Sequence, residues 1–162
     1  MATQDGPYQR IDEPLYNSRI VRNYVEYVKQ FHPLVDLDAI LAHAWITTYE
    51  LEDQGHWFSQ WQVDQFHERL VQDTGDREIS RKVGRYVASS EASGALKHYA
   101  LGFMTPGAAY WVVEKIAPHL TRASTLKTQK LKSNKFEVCV RTKPGVSQRP
   151  YQCENLMGQL EA

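Results

Sequence analysis

Gly102-Phe103-Met104-Thr105-Pro106-Gly107-Ala108-Ala109-Tyr110-Trp111-Val112-Val113-Glu114-Lys115-Ile116-Ala117-Pro118 carries the clearest start and stop signals in the chain. Thr105 is placed to cap a helix, Pro106 suits its first position because the missing N–H would be unpaired there anyway, and Pro118 ends it. Ala109, Val112, Val113 and Ile116 recur at helical spacing, while Gly107 and Ala108 leave the first turn bare enough for another backbone to come close. The stretch reads as a central helix. Before it the chain looks helical; after it the chain turns extended and basic.

Upstream, Pro7 and Pro14 punctuate a polar arm over residues 1–16. Asn17 or Ser18 caps a first helix with a stripe of Ile20, Tyr24, Val28 and Phe31, and Asp36 opens a short second one carrying Leu37, Ile40, Leu41 and Ala44. From Trp45 to Phe58 the helical period lapses, which predicts an aromatic loop packed down on the core. Ser59 and Gln62 form a capping box, Phe58 can staple onto Val63, and the helix they open stops at Thr74-Gly75. Asp76 opens a fourth helix with Ile79, Val83, Tyr86 and Val87, and Ser89-Ser90 a fifth that runs to Gly102.

Downstream, Phe136, Val138 and Val140 alternate with Glu137, Cys139 and Arg141, the period of a half-buried strand. With residues 124–131 and a turn at Ser133-Asn134 they predict an antiparallel hairpin lying on the helices, because a lone hairpin is only marginally stable. From Tyr151 a helix looks barely begun when the sequence stops, as in a piece of a larger protein. The expected fold is α+β, about six helices followed by a β-hairpin packed on them, with residues 17–162 as one domain.

At 162 residues the chain is long enough to bury roughly two thirds of its unfolded surface without a metal or disulfide. Acidic and basic totals are equal, yet between Leu120 and Pro150 eight basic residues face Glu137 alone. Two cysteines, Cys139 and Cys153, make no disulfide framework and suit a reducing cytoplasm. No apolar run is long enough for a bilayer span, and the first residues lack signal-peptide character. Cytoplasmic residence without membrane insertion is expected.

No catalytic constellation stands out. The six histidines, of which His43 and His98 merit first inspection, lack metal-ligand spacing, and His67-Glu68 has no second histidine to complete a zinc motif. Glu50, Glu52 and Asp53 are better read as solvated than as an acid–base pair. The candidate ligand site is drawn from the aromatic excess: Trp45, Tyr49, His56, Trp57, His98, Phe103, Tyr110 and Trp111. The alternative is a nucleic-acid face on the basic hairpin of residues 122–149, using Lys127, Lys130, Lys132, Lys135 and Arg141. No catalytic residue, metal ligand or cofactor is assigned.

Residues 17–22, 38–44, 53–60 (Asp-Gln-Gly-His-Trp-Phe-Ser-Gln), Gly84-Arg85-Tyr86, residues 101–110 and residues 151–155 (Tyr-Gln-Cys-Glu-Asn) together resemble the N-terminal sensory region of bacterial sensor histidine kinases with following PAS domains. That region looks related to the superfamily of vinyl-reductase-like ligand domains, haem nitric-oxide sensors and vesicle-tethering subunits. The resemblance implies helices against an antiparallel sheet, often in a homodimer. It implies a noncatalytic input domain of a two-component signal-transduction protein, which binds a small molecule or a partner and relays a packing change to its own PAS or kinase domains. Any kinase activity would belong to those domains. The zinc-associated segment of the vinyl-reductase-like domains and the proximal histidine and Tyr-Ser-Arg motif of the haem sensors have no counterpart, so neither zinc nor haem is carried over.

Overall fold

The computed structural model describes residues 13–88 and 106–161. Strand β1 (Pro14–Asn17) leads into α1 (Ser18–Phe31), α2 (Leu37–His43), α3 (Thr48–Glu52), β2 (Trp57–Ser59), α4 (Gln60–Thr74) and α5 (Ile79–Ala88). After the gap come α6 (Pro106–Ile116), a single 3₁₀ turn, β3 (Ser124–Lys132), β4 (Lys135–Thr142) and α7 (Pro150–Glu161). The fold is α+β, with seven α-helices among the described residues and two antiparallel two-stranded sheets, β1–β2 and β3–β4. The expected fifth helix, which would carry His98, lies outside the described residues, as does Phe103 after it.

The centre of the molecule is α1. Asn17 caps it, the side chain accepting from Arg19 N–H at 3.3 Å while donating to the carbonyls of Gln54 at 2.9 Å and His56 at 3.2 Å. Ser18 adds a bond from Oγ to Asp53 O at 2.7 Å, so the segment entering β2 hangs on the start of α1. Val21, Tyr24, Val25, Tyr27 and Val28 are buried, whereas Ile20 is half-buried and Phe31 exposed. The apolar stripe is therefore wider than, and rotated from, the four-residue reading. It meets Phe58, Phe66, Leu70, Ile79 and Val83 from β2, α4 and α5, each such side chain worth about 1.5–3 kcal/mol when fully buried.

Several expectations are corrected. Pro14, Leu15 and Tyr16 are no arm: Leu15 and Tyr16 are buried, paired through β2 on one side and bridged to Thr121 on the other, with Arg122 N–H donating to Leu15 O at 2.8 Å. A strand of four residues is too short to show a period in sequence. The loop from Trp45 to Phe58 contains α3, opened by a Thr47–Glu50 capping box, and it packs only part of its aromatics down: Phe58 is buried and Trp57 half-buried, but Trp45 is 75% and Tyr49 83% exposed. The helix that starts at Pro106 and ends near Pro118 has the predicted ends but not the predicted place. It lies against β3, and none of its described side chains is fully buried. End signals fix where a helix stops, not how deep it lies. The chain's last helix runs a full 12 residues and docks along α5.

The hairpin matches its reading, with Thr128 opposite Val138 and Lys127 opposite Cys139. Tyr110 of α6 meets Phe136 edge-on at 5.5 Å, and Glu114 accepts from the Thr128 backbone N–H at 2.7 Å. Among the described residues no helix is long and apolar enough to cross a membrane.

Candidate functional site

The described members of the predicted aromatic set do not converge, and His98 and Phe103 lie outside the described residues. Trp45 sits at the α2–α3 corner, edge-on to Trp61 at 5.3 Å, and Tyr49 projects from α3 nearby. Trp45 has φ of 55°, a left-handed conformation unusual for a bulky residue, and Gln62 Nε2 holds its carbonyl at 3.0 Å. His56 packs on Phe58 at 4.8 Å with Glu50 at 3.8 Å, while Trp57 lies under the Arg122 guanidinium at 3.8 Å. Tyr110 and Trp111 belong to α6, Trp111 exposed beside Lys115. A shallow groove of about 220 Å³ runs along the α6–β3 seam past Glu114, Pro118 and residues 124–127, and none of the described members of the aromatic set lines it. His43 is exposed.

The five basic hairpin residues are all exposed, but not as one face. Lys127 and Arg141 share the open side with Lys135, Lys130 lies opposite Phe136 on the α6 side, and Lys132 meets Lys135 at the tip. Lys127 is also drawn to Glu114 at 3.2 Å.

The densest chemistry lies elsewhere, where α7 meets β1, α4 and α5. Asp64, on α4, is the acceptor for three groups. Arg149 donates from Nη2 at 2.8 Å and from Nε at 3.0 Å, Tyr151 Oη donates at 2.8 Å, and Gln60 Nε2 donates at 2.8 Å. The Gln60 carbonyl oxygen accepts from the Tyr16 hydroxyl, and Gln152 Nε2 donates to that hydroxyl at 2.6 Å. Burial pushes Tyr16 up to about 12, and burial together with the Asp64 charge raises Tyr151 further, so both phenols stay neutral donors.

A second arm of the network begins at His67, one turn along α4. Its ring stacks on Tyr151 at 4.3 Å and its Nε2 lies 2.6 Å from Ser80 Oγ. Ser80 accepts from Tyr24 Oη at 3.1 Å, which leaves its own proton for His67. Burial lowers His67 to about 4 and raises Tyr24 to about 12, consistent with a neutral imidazole as acceptor. The Ser80–His67 distance is that of a nucleophile and its base, but Ser80 is 2% exposed, and Asp64 is spent on Arg149 and Tyr151 rather than on the imidazole. Asn155 Nδ2 bonds Ser80 O at 3.1 Å, closing α7 over the pair. At its far end α7 is held by Glu161, which takes Arg81 and Arg85 together and is pulled down to about 2 by those cations.

None of these residues was singled out from sequence as functional. Residues 60, 64 and 67 share a helix face at three- to four-residue spacing, which is a detectable signal, but Arg149 and Tyr151, which meet Asp64, lie more than eighty positions away. Among the described residues no cluster of three histidine, cysteine or acidic side chains is arranged to hold a metal ion.

No family model matches the chain, and neither the curated proteins nor the solved structures include a match.

Proposed function

We propose that the chain is a noncatalytic sensory or regulatory input domain of a bacterial signal-transduction protein, of the kind that precedes PAS and histidine-kinase domains in the cytoplasm. In this reading α7 is the relay. The observation that carries it is how α7 is held: of its residues only Gly158 is buried, and beside the Gly84–Gly158 crossing and the His67–Tyr151 stack its ties are polar, namely the Asp64–Arg149–Tyr151 cluster, the Ser80–Asn155 bond and the Arg81–Glu161–Arg85 clamp. Contacts of this kind are exchanged for water at little net cost, so a helix held by them can leave without exposing a large apolar face. An input that binds one packing better than the other then shifts the population, by no more than its difference in affinity.

The scatter of the aromatic residues favours a partner protein over a small molecule as the input, and exposed Trp45 and Tyr49 are the side chains best placed to meet one. Hydrogen exchange tests the relay. Amides of residues 150–161 should exchange faster than those of α1, and Asp64→Asn should speed them further while α1 stays protected. Equal protection of α7 and α1 in both proteins would refute the reading.

The nucleic-acid alternative draws support from the exposure of Lys127, Lys130, Lys132, Lys135 and Arg141. It lacks a stacking platform, since Phe136 is turned to Tyr110. Binding to single-stranded DNA that weakens steeply between low and physiological salt would favour it.

A further inference from the structure

The outer edge of β4 has no strand beside it among the described residues, and its sequence is complementary to itself. Lys143 N–H donates across the hairpin to Ala123 O at 2.8 Å, so the odd-numbered residues of β4 turn their backbone groups toward β3. Thr128, opposite Val138, does the reverse and sends its N–H out of the hairpin to Glu114. Phe136, Val138, Val140 and Thr142 therefore turn their N–H and C=O groups outward. On β3 the corresponding edge is covered by α6. On β4 no described strand or helix covers it, the hairpin contains no fully buried residue, and a two-stranded sheet with such poor cover is marginal.

We propose that β4 pairs antiparallel with β4 of a second copy of this chain, about a two-fold axis at Cys139, to make a continuous four-stranded sheet. Charge selects that register. Centred on Cys139, Glu137 lies opposite the partner's Arg141 and Arg141 opposite the partner's Glu137, two ion pairs on the open face; Lys135 falls opposite the partner's Lys143 beyond the strand end, where Glu13 holds the Lys143 ammonium. Centred on Val138, Lys135 meets the partner's Arg141; centred on Glu137, the two glutamates meet. Centred on Val140, Glu137 meets the partner's Lys143, which Glu13 already holds. A slip of one residue would lay apolar against polar face. In the selected register Val138 and Val140 exchange backbone hydrogen bonds with the partner's Val140 and Val138. The Cys139 pair falls at a non-hydrogen-bonded position, with Cα atoms about 4.5 Å apart, within disulfide reach. Phe136, Val138 and Val140 of both copies then form one apolar face. The proposal does not depend on the relay role of α7.

Sedimentation of the full chain under reducing conditions is the test. The wild type is expected to be a dimer, and Val140→Pro a monomer with an unchanged circular dichroism spectrum, because that N–H points away from β3 and takes no part in the hairpin ladder. Glu137→Arg should weaken the dimer about tenfold or more, and adding Arg141→Glu should restore it. In Cys153→Ser protein, diamide should link two chains through Cys139, and Cys139→Ser should abolish the link. A wild type that stays monomeric up to its solubility limit, or a Val140→Pro dimer as tight as wild type, would overturn the pairing. Failure of the double charge swap to restore the dimer would overturn the register.

Discussion

Gly84 and Gly158 face one another where α5 crosses α7, each lying against the other helix's backbone. A Cβ on Gly84 would sit 2.1 Å from Asn155 O, and one on Gly158 would sit 2.1 Å from Arg81 O. Real Cβ atoms do not come that close to a carbonyl oxygen, so the two glycines set the helix separation. Gly158→Ala is expected to cost about 1–3 kcal/mol in denaturant unfolding, by forcing the helices apart. Gly75→Ala, where φ is 68° but space is open, should cost about 1 kcal/mol through backbone strain alone and leave α7 docked. Equal effects on exchange in α7 would count against the close crossing.

Removing Asp64 leaves Arg149, Tyr151 and Gln60 without their common acceptor. Asp64→Ala should lower stability by about 1–3 kcal/mol. Arg149→Ala, at a more exposed position, should cost under about 1 kcal/mol. A double-mutant cycle between Asp64 and Arg149 should show coupling; strict additivity would mean the pair is a surface ornament.

His67 is held neutral by burial, at about 4 in the folded chain against about 6.5 when unfolded. Below pH 6.5 the unfolded chain takes up a proton that the folded chain refuses, so stability falls as pH drops from about 6.5 to about 4, by on the order of 3 kcal/mol. His67→Gln should flatten that window of a stability–pH curve. The Glu161 clamp acts lower, being lost as pH falls from the ordinary carboxylate range through about 2. At the alkaline end Tyr16 and Tyr24 titrate near 12 rather than 10, so stability present below about pH 10 declines as pH rises toward 12.

Glu114 ties α6 to the backbone edge of β3, beside a bond from Thr128 Oγ1 to Tyr110 O at 3.3 Å. Backbone bonding and Lys127 keep its carboxyl below the usual range. Glu114→Gln removes the charge and should speed exchange of the Thr128 amide with little effect on Val21 or Val28. Unchanged exchange at Thr128 would show that apolar contact alone seats α6.

What could be read from the residues was local. Ser59 with Gln62, Asp36, Asn17, Pro106 and the turn at Ser133-Asn134 all act within four residues of themselves, and each element boundary they mark is where the structure places it. The depth of an element depends on distant partners. Nothing near Leu15 announces that Thr121 and Arg122 will cover it, and nothing near Asp64 announces Arg149. The aromatic residues misled for the converse reason: large side chains suggest a lining, but Trp45 and Trp111 are spent on the surface. Gly84 belonged to the stretches that carried the family resemblance, yet its use becomes visible only with α7 beside it.

β1 also has a history in time. Its first edge closes on residues 57–59, which follow soon after it on the ribosome, but its second waits for Thr121 and Arg122, and Tyr16 waits for Gln152. Of the described strands, the first to emerge is thus the last to be completed. A nascent chain halted before residue 120 would carry a raw strand edge into a crowded cell, the kind of surface that chaperones hold and aggregates grow from.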